Sequence, residues 1–323
     1  MVKVLKKPKL KILITGGNGY LGGRLGKYFI NIGHEVVLGS RNVKHDKKID
    51  GEFSLVNTLW EDPESLERAC HNIDVIIHAA GMNSGDCEAA PNAAFEVNGS
   101  NTKRLITAAN NVGVTRFLYL STVHVYNNPL QGTLNEESPT SNNHPYAASK
   151  LQGENFVFWA NNNLEIDGYI LRLSNAVGAP IQRNLGCWQL LVNDLCKQVV
   201  ITRKMMIKSN GTQQRDFISI DQICEVIQDV TCKKMGDLKY KLFNLSSGVS
   251  YNILEMAKII QECCFEVLDF HPEIQKISSD LKNHHTNLLI ENKRIFLGKM
   301  HIEDHLRKEI KKLLLFCKTE FLN

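Results

Sequence analysis

Leu10-Lys11-Ile12-Leu13-Ile14-Thr15-Gly16-Gly17-Asn18-Gly19-Tyr20-Leu21-Gly22-Gly23 is the stretch on which the fold turns. Its apolar start, Leu10–Thr15, reads as a buried strand, and Leu21–Ile32 reads as a helix. Between them the glycines allow a tight turn and let backbone approach a bound group closely. A strand, a glycine-rich turn and a helix in that order make a pyrophosphate cradle, because the free N–H groups and dipole of the helix start favour an anion. The spacing Gly16-x-x-Gly19-x-x-Gly22 departs from the GxGxxG form, so an ordinary glycine-rich turn is the competing reading.

Outward from this stretch, short apolar runs alternate with longer amphipathic ones. Glu35–Gly39, Asp74–Ala80, Phe117–Ser121 and Ile166–Leu173 read as strands. Ser65–Cys70, Ala93–Val112 and Pro145–Asn161 read as helices. That alternation predicts an α/β fold with a Rossmann-like doubly wound parallel sheet. After about residue 176 the pattern loosens: Cys187–Cys196, Asn252–Cys263 and His305–Phe321 read as helices, and Asp216–Gln222 as a strand passing into a helix. The expectation is a dinucleotide-binding domain over 9–175 plus about 216–245. A smaller mixed α/β substrate domain would take about 176–215 and 246–323.

A chain of 323 residues can bury a core without disulfide or metal staples. Its 38 Lys and Arg against 34 Asp and Glu leave a net charge of +4, too slight a bias to point to nucleic acid or a membrane. The cationic residues gather at the ends (Lys3, Lys6, Lys7, Lys9; Arg307, Lys308, Lys311, Lys312) and read as solvated. Nine cysteines, an odd number with no CxxC, read as reduced thiols of a cytoplasmic protein. No start resembling a signal peptide and no long apolar run is present.

The second strand ends Val37-Leu38-Gly39-Ser40-Arg41-Asn42. An acid there would bond the adenosine ribose 2′-hydroxyl and favour NAD; a cation accommodates a 2′-phosphate. Arg41 can pair that phosphate and Ser40 can donate to it, so NADP(H) is the favoured cofactor, with NAD(H) the alternative if Arg41 is only a solvated loop residue. Tyr146 and Lys150 stand four apart at the start of a helix and so share a face. A neighbouring ammonium lowers a phenol's pKa and helps it exchange a proton. Some 24 residues upstream, Ser121-Thr122 ends a strand and would present hydroxyls where doubly wound folds bind ligands.

TGGNGYLG, HAAG (His78–Gly81), Asn98, STVHVY (Ser121–Tyr126), YAASK (Tyr146–Lys150), LRLSNAVG (Leu171–Gly178) and RDFISIDQ (Arg215–Gln222) follow one another along the chain. In this order they resemble the extended short-chain dehydrogenases/reductases, in the branch of nucleotide-sugar epimerases, dehydratases and 4-keto reductases. The resemblance covers roughly residues 9–260. It implies that Gly16, Gly19 and Gly22, with Tyr20 and Leu21, hold the pyrophosphate, and that Ala79, Ala80, Gly81 and Asn98 line the cofactor. It implies Tyr146 as catalytic acid/base, Lys150 on the nicotinamide ribose and Thr122 as hydroxyl helper. His124, Asn175 and Arg215 would reach the sugar nucleotide, Arg215 at its diphosphate.

Dehydratases of the family carry Asp-Glu after the Thr, where this chain has Val123-His124, and valine cannot transfer a proton. His124 is either an acid/base or a packing histidine. Two readings remain: an NADPH-dependent reductase of a 4-keto (deoxy)sugar nucleotide, favoured by Arg41, and a 4-epimerase that retains NAD+. The stretch Leu281–Thr286 lacks the further Arg that the family usually places at the diphosphate, so Lys282 or a histidine would substitute. His284-His285 finds no third ligand at a matching spacing, so no metal is expected. Trp60 stands where the family often carries an Asp near the adenine. In this family the helices at Ala93–Val112 and Pro145–Asn161 commonly form a dimer contact. Phe156, Val157, Phe158 and Trp159, apolar on more than one face, fit a homodimer, with burial of Trp159 against the chain's own core the competing reading.

Overall fold

A computed structural model describes residues 9–41, 53–234, 236–276, 287–295 and 302–322. In chain order the elements begin β1 (Lys11–Thr15), α1 (Tyr20–Asn31), β2 (Glu35–Ser40), β3 (Ser54–Asn57), α2 (Pro63–Cys70) and β4 (Val75–His78). Then come two short helices, α3 (Ser84–Ala89) and α4 (Pro91–Ala94), a π-helical turn at Phe95–Ser100, α5 (Asn101–Asn111), β5 (Arg116–Thr122), β6 (Gly132–Leu134), α6 (Pro145–Asn163) and β7 (Asp167–Leu173). They continue with β8 (Asn175–Val177), α7 (Leu191–Thr202), β9 (Lys204–Ile207), β10 (Gln214–Ser219), α8 (Ile220–Cys232) and β11 (Leu242–Leu245). The last are β12 (Ser250–Asn252), α9 (Ile253–Leu268), β13 (Glu273–Lys276), β14 (Leu288–Ile290) and α10 (Ile302–Leu322).

The chain forms two compact units. One takes the residues up to Val125, Asn143–Leu171 and Val226–Leu242; the other takes Tyr126–Asn142, Arg172–Glu225 and the residues from Phe243 onward. The main sheet has the order β11-β7-β5-β4-β1-β2-β3. The run from β5 to β3 is parallel throughout. Strand order reverses beside β1: β2 and β3 continue on one side and β4 on the other. That reversal opens the crevice in which doubly wound folds bind ligands. Strands covered on both faces carry unbroken apolar runs, and accordingly Ile12, Leu13 and Ile14 are all fully buried. On one face of the sheet, Leu13, Ile76, Phe117 and Ile170 pack with Leu66 and Ala69 of α2, Leu105 and Ala109 of α5, and Val157 and Ala160 of α6. Each buried aliphatic side chain of this kind contributes roughly 1.5–3 kcal/mol relative to exposure. The start of α2 is set by Asp62, whose side chain accepts from Ser65 N at 3.1 Å, and by Pro63 in the first turn.

The main sheet has two strands beyond those expected from the sequence: β3, paired beside β2, and β11, at the other edge beside β7. The single helix expected over Ala93–Val112 is α4, a π turn and α5. In the π turn Asn101 N–H donates to Glu96 O, five residues back. The widened turn leaves the Asn98 carbonyl to accept from the Tyr119 hydroxyl at 3.1 Å and the Thr102 hydroxyl at 2.9 Å.

In the second unit, a three-stranded sheet β12-β10-β8 is joined by two parallel pairs, β13-β9 and β14-β6. Its core packs Val192, Leu195 and Val199 of α7 with Met256 and Ile260 of α9 and Leu306, Ile310, Leu313, Leu314 and Cys317 of α10. The basic residues of α10 are not simply solvated. Arg307 bonds Glu262 and Glu266 at 2.7 Å each, Lys311 pairs with Glu266, and Lys312 bonds Asp221 at 2.7 Å. Lys3, Lys6 and Lys7 lie outside the described residues. All nine cysteines are free thiols, and eight are buried. No described helix is long and apolar enough to cross a membrane.

Candidate functional site

The glycine turn closes on itself and on the loop after β4. Gly16 sits at φ +66°, the left-handed region that glycine tolerates, and a Cβ there would stand 2.8 Å from the Ala80 backbone. A Cβ on Gly22 would meet Gly16 O at 2.2 Å. Gly19 N donates to Gly16 O at 2.8 Å, and α1 starts at once, with no acidic residue in its first turn and no side chain capping it. A glycine-backbone cradle at an uncapped helix start fits a pyrophosphate. Arg41 is exposed directly after β2, and Ser40 is half-buried. Residues 42–52, which follow, lie outside the described set, as do Lys282, His284 and His285.

Behind the cradle runs a chain of hydrogen bonds. Thr15 Oγ1 meets His78 Nδ1 at 2.6 Å and accepts from Ala80 N at 3.3 Å. His78 Nε2 meets Thr102 Oγ1 at 3.1 Å, and the Thr102 hydroxyl donates to Asn98 O. These partners fix the proton positions. Thr102 spends its proton on Asn98 O and so accepts from Nε2–H, which leaves Nδ1 of the neutral ring to accept from the Thr15 hydroxyl. His78 is fully buried, stacked on Tyr119 with Trp60 edge-on to it, and burial first, then the Lys150 charge, pushes its pKa down to about 3. It is a neutral connector. Trp60 therefore packs on His78 in this unit's core.

Asn98 carries the chain onward. Its Oδ1 accepts from Met82 N at 2.8 Å, and its amide donates to Ser149 Oγ at 3.0 Å and to Cys87 Sγ at 3.5 Å. Ser149 donates to the Tyr146 carbonyl at 3.0 Å. Gly81 leaves room for this arrangement, since a Cβ there would sit 2.7 Å from Asn98 Oδ1 and 3.0 Å from Lys150 Nζ.

Thr122, Tyr146 and Lys150 come together where β5 ends against α6. Thr122 is buried at the strand's carboxyl end, and Lys150 Nζ donates to Leu120 O at 3.0 Å and lies 5.1 Å from the Tyr119 ring centre. Burial pushes the Lys150 ammonium down to about 8, partly countered by Cys87 and Glu154. Burial raises the Tyr146 phenol above its usual range, and hydrogen bonding with Thr122 pulls it back. A neutral phenol beside an ammonium and a hydroxyl can hand a proton to an oxygen that is gaining charge. His124 is exposed in the turn after β5, its N–H on Thr122 Oγ1 at 3.2 Å.

Asn175 and Arg215 belong to the second unit, on the adjacent strands β8 and β10. Asn175 Nδ2 donates to Asp216 O at 2.8 Å, and Arg215 donates to Gln213 Oε1 at 3.1 Å. Between them lies Asp216, passed over in the sequence. It is fully buried and accepts from Ser174 Oγ (2.5 Å), Ser247 N and Oγ (2.9 Å each) and Gly248 N (2.9 Å), so it holds these loops in place.

A parallel sheet reversing beside a glycine cradle defines a dinucleotide-binding α/β enzyme. The chain belongs to the NAD dependent epimerase/dehydratase family, whose sequence model matches residues 12–245. It is thus an NAD(P)-dependent oxidoreductase of the extended short-chain dehydrogenases/reductases. UDP-glucose 4-epimerase of Bacillus subtilis is 25% identical, over 78% of this chain and 82% of that protein. dTDP-glucose 4,6-dehydratase of Streptomyces niveus is 24% identical, over 79% and 78%. Among solved structures, UDP-glucuronic acid 4-epimerase from Bacillus cereus, in complex with UDP-glucuronic acid and NAD, superposes with a TM-score of 0.75 at 19% identity, covering 96% of this chain and 99% of that one.

Proposed function

We propose that the protein reduces the 4-keto group of a nucleotide-linked (deoxy)sugar with NADPH, Tyr146 supplying the proton. The observation that carries the reading is Arg41, exposed directly after β2 where an acid would favour NAD; the phenol of Tyr146, its proton held by burial, serves as the acid. The nicotinamide, when bound, supplies the hydride. Lys150 holds the ribose and steadies the phenolate left behind, Thr122 holds the reacting oxygen, and Gly16, Gly19 and Gly22 leave space for the pyrophosphate, with Ala79–Gly81 and Asn98 alongside. Arg41 and Ser40 would hold the adenosine 2′-phosphate. Asn175 and Arg215 bind the sugar nucleotide, Arg215 its diphosphate, and His124 borders the sugar. The half-exposed Phe158 and Trp159 on α6 support a homodimer through that helix.

The UDP-glucose 4-epimerase relatives favour a second reading: hydride removal and return at C4 on one retained NAD+. Denaturing freshly purified protein and separating any released nucleotide by chromatography discriminates the two. The reductase predicts an empty site that then binds NADPH more tightly than NADH. Near-stoichiometric NAD+ would overturn it in favour of the epimerase.

A further inference from the structure

Three consecutive residues of β5 engage three residues along one face of α6. Leu120 O receives Lys150 Nζ at 3.0 Å, Ser121 Oγ donates to Glu154 Oε1 at 2.5 Å, and Thr122 stands beside the Tyr146 phenol. Tyr146, Lys150 and Glu154 follow one another at helical i,i+4 spacing, which stacks them on one face. Gly153 lets α6 come this close, since a Cβ there would lie 2.3 Å from the Tyr119 hydroxyl. Glu154 is fully buried. It lies one helical turn beyond Lys150.

We propose that Glu154 is a positioning residue that keeps Lys150 an ammonium beside Tyr146, with Ser121 holding its carboxylate in place. This rests on the catalytic reading of Tyr146 and Lys150 above. The groups that face Lys150 are His78 from β4, Cys87 from α3, Tyr119 from β5, and Tyr146 and Glu154 from α6. Burial favours the neutral form of the first four: it pushes His78 down and the Cys87, Tyr119 and Tyr146 protons up. Cys87 and then Glu154 oppose the pull of burial on Lys150; with the Cys87 proton held by burial, Glu154 is the carboxylate of the two. Without it the ammonium would be lost nearer neutral pH, and the phenolate formed at Tyr146 would lose its counter-charge.

The test is the pH profile of kcat/KM for the wild-type hydride-transfer reaction, compared with Glu154→Gln and Glu154→Asp. The glutamine still accepts from Ser121 but has no charge; the aspartate keeps the charge one methylene away. The alkaline limb should fall by roughly one pH unit in the glutamine variant and by less in the aspartate variant, while NADPH affinity, read by fluorescence, stays within about twofold of wild type. A limb unmoved in Glu154→Gln overturns the proposal. So does a limb at the same pH in both variants, which would make the effect one of shape. Should only Glu154→Asp fold, its limb must still fall, and coincidence with wild type refutes the idea. Tyr146→Phe is run in parallel. If it keeps full activity, the catalytic reading fails and takes this proposal with it. If it is inactive and the Glu154 limb stays put, this proposal alone fails.

Discussion

Acid should loosen this fold through His78, and by an amount that follows from its surroundings. The folded state holds the imidazole neutral with its pKa lowered to about 3, against an ordinary 6.5. The unfolded chain binds a proton below pH 6.5 that the folded chain refuses. Stability from this group is therefore complete above about 6.5 and lost as pH falls toward 3. At pH 4.5 the loss is about 3 kcal/mol, the free energy of some two pH units of unmatched protonation. Protonation also reverses the Thr15 bond, because a charged ring has no acceptor for the Thr15 hydroxyl. Urea unfolding followed by circular dichroism at pH 7.5 and 4.5, on wild type and His78→Gln, isolates the contribution. The variant starts less stable, since glutamine cannot replace both ring bonds. Its further loss between the two pH values should be smaller than wild type's by about 3 kcal/mol. Parallel losses would refute the assignment of a neutral, network-bound His78.

Three further outcomes follow. Arg41→Ala should weaken NADPH binding about tenfold or more while leaving NADH nearly unchanged, as expected for a charged hydrogen bond to the 2′-phosphate; equal effects in a fluorescence titration would detach Arg41 from the phosphate. Gly22→Ala, whose Cβ would stand 2.2 Å from Gly16 O, should force the turn open, costing about 1–3 kcal/mol in thermal stability and most of the affinity for either cofactor. Arg215→Ala should raise KM for the sugar nucleotide at least tenfold with the cofactor KM unmoved, and initial-rate kinetics varying each substrate in turn separate the two.

The parts of this architecture most legible in the sequence are those written in local pattern. Ile12–Ile14 is an unbroken apolar run because both faces of the sheet are covered, and the glycines after it mark a turn that side chains would block. Tyr146 and Lys150 declare a shared helix face by spacing alone, and the same arithmetic one turn on would have flagged Glu154. Connections made only in three dimensions were not legible. His78 gains its role from Thr15, 63 residues earlier, and from Thr102, 24 residues later. The π turn at Phe95–Ser100 leaves no mark in apolar periodicity, and the Tyr119 hydroxyl that donates to its Asn98 carbonyl comes from 21 residues away. Asp216 sits inside a stretch already noted for Arg215, yet its four hydrogen bonds come from Ser174, Ser247 and Gly248.

The measurement that bears most directly on the proposed function is the single-turnover rate of hydride transfer in Tyr146→Phe, on whichever substrate the wild-type protein turns over: a 4-keto nucleotide sugar with NADPH, or a nucleotide sugar with resident NAD+. Removing one hydroxyl should slow the step at least ~100-fold, the scale of general acid–base catalysis, with cofactor affinity unchanged because Lys150 and the glycine cradle are intact. A rate within a few fold of wild type, with cofactor bound, would contradict the proton transfer at Tyr146 on which the proposed function rests.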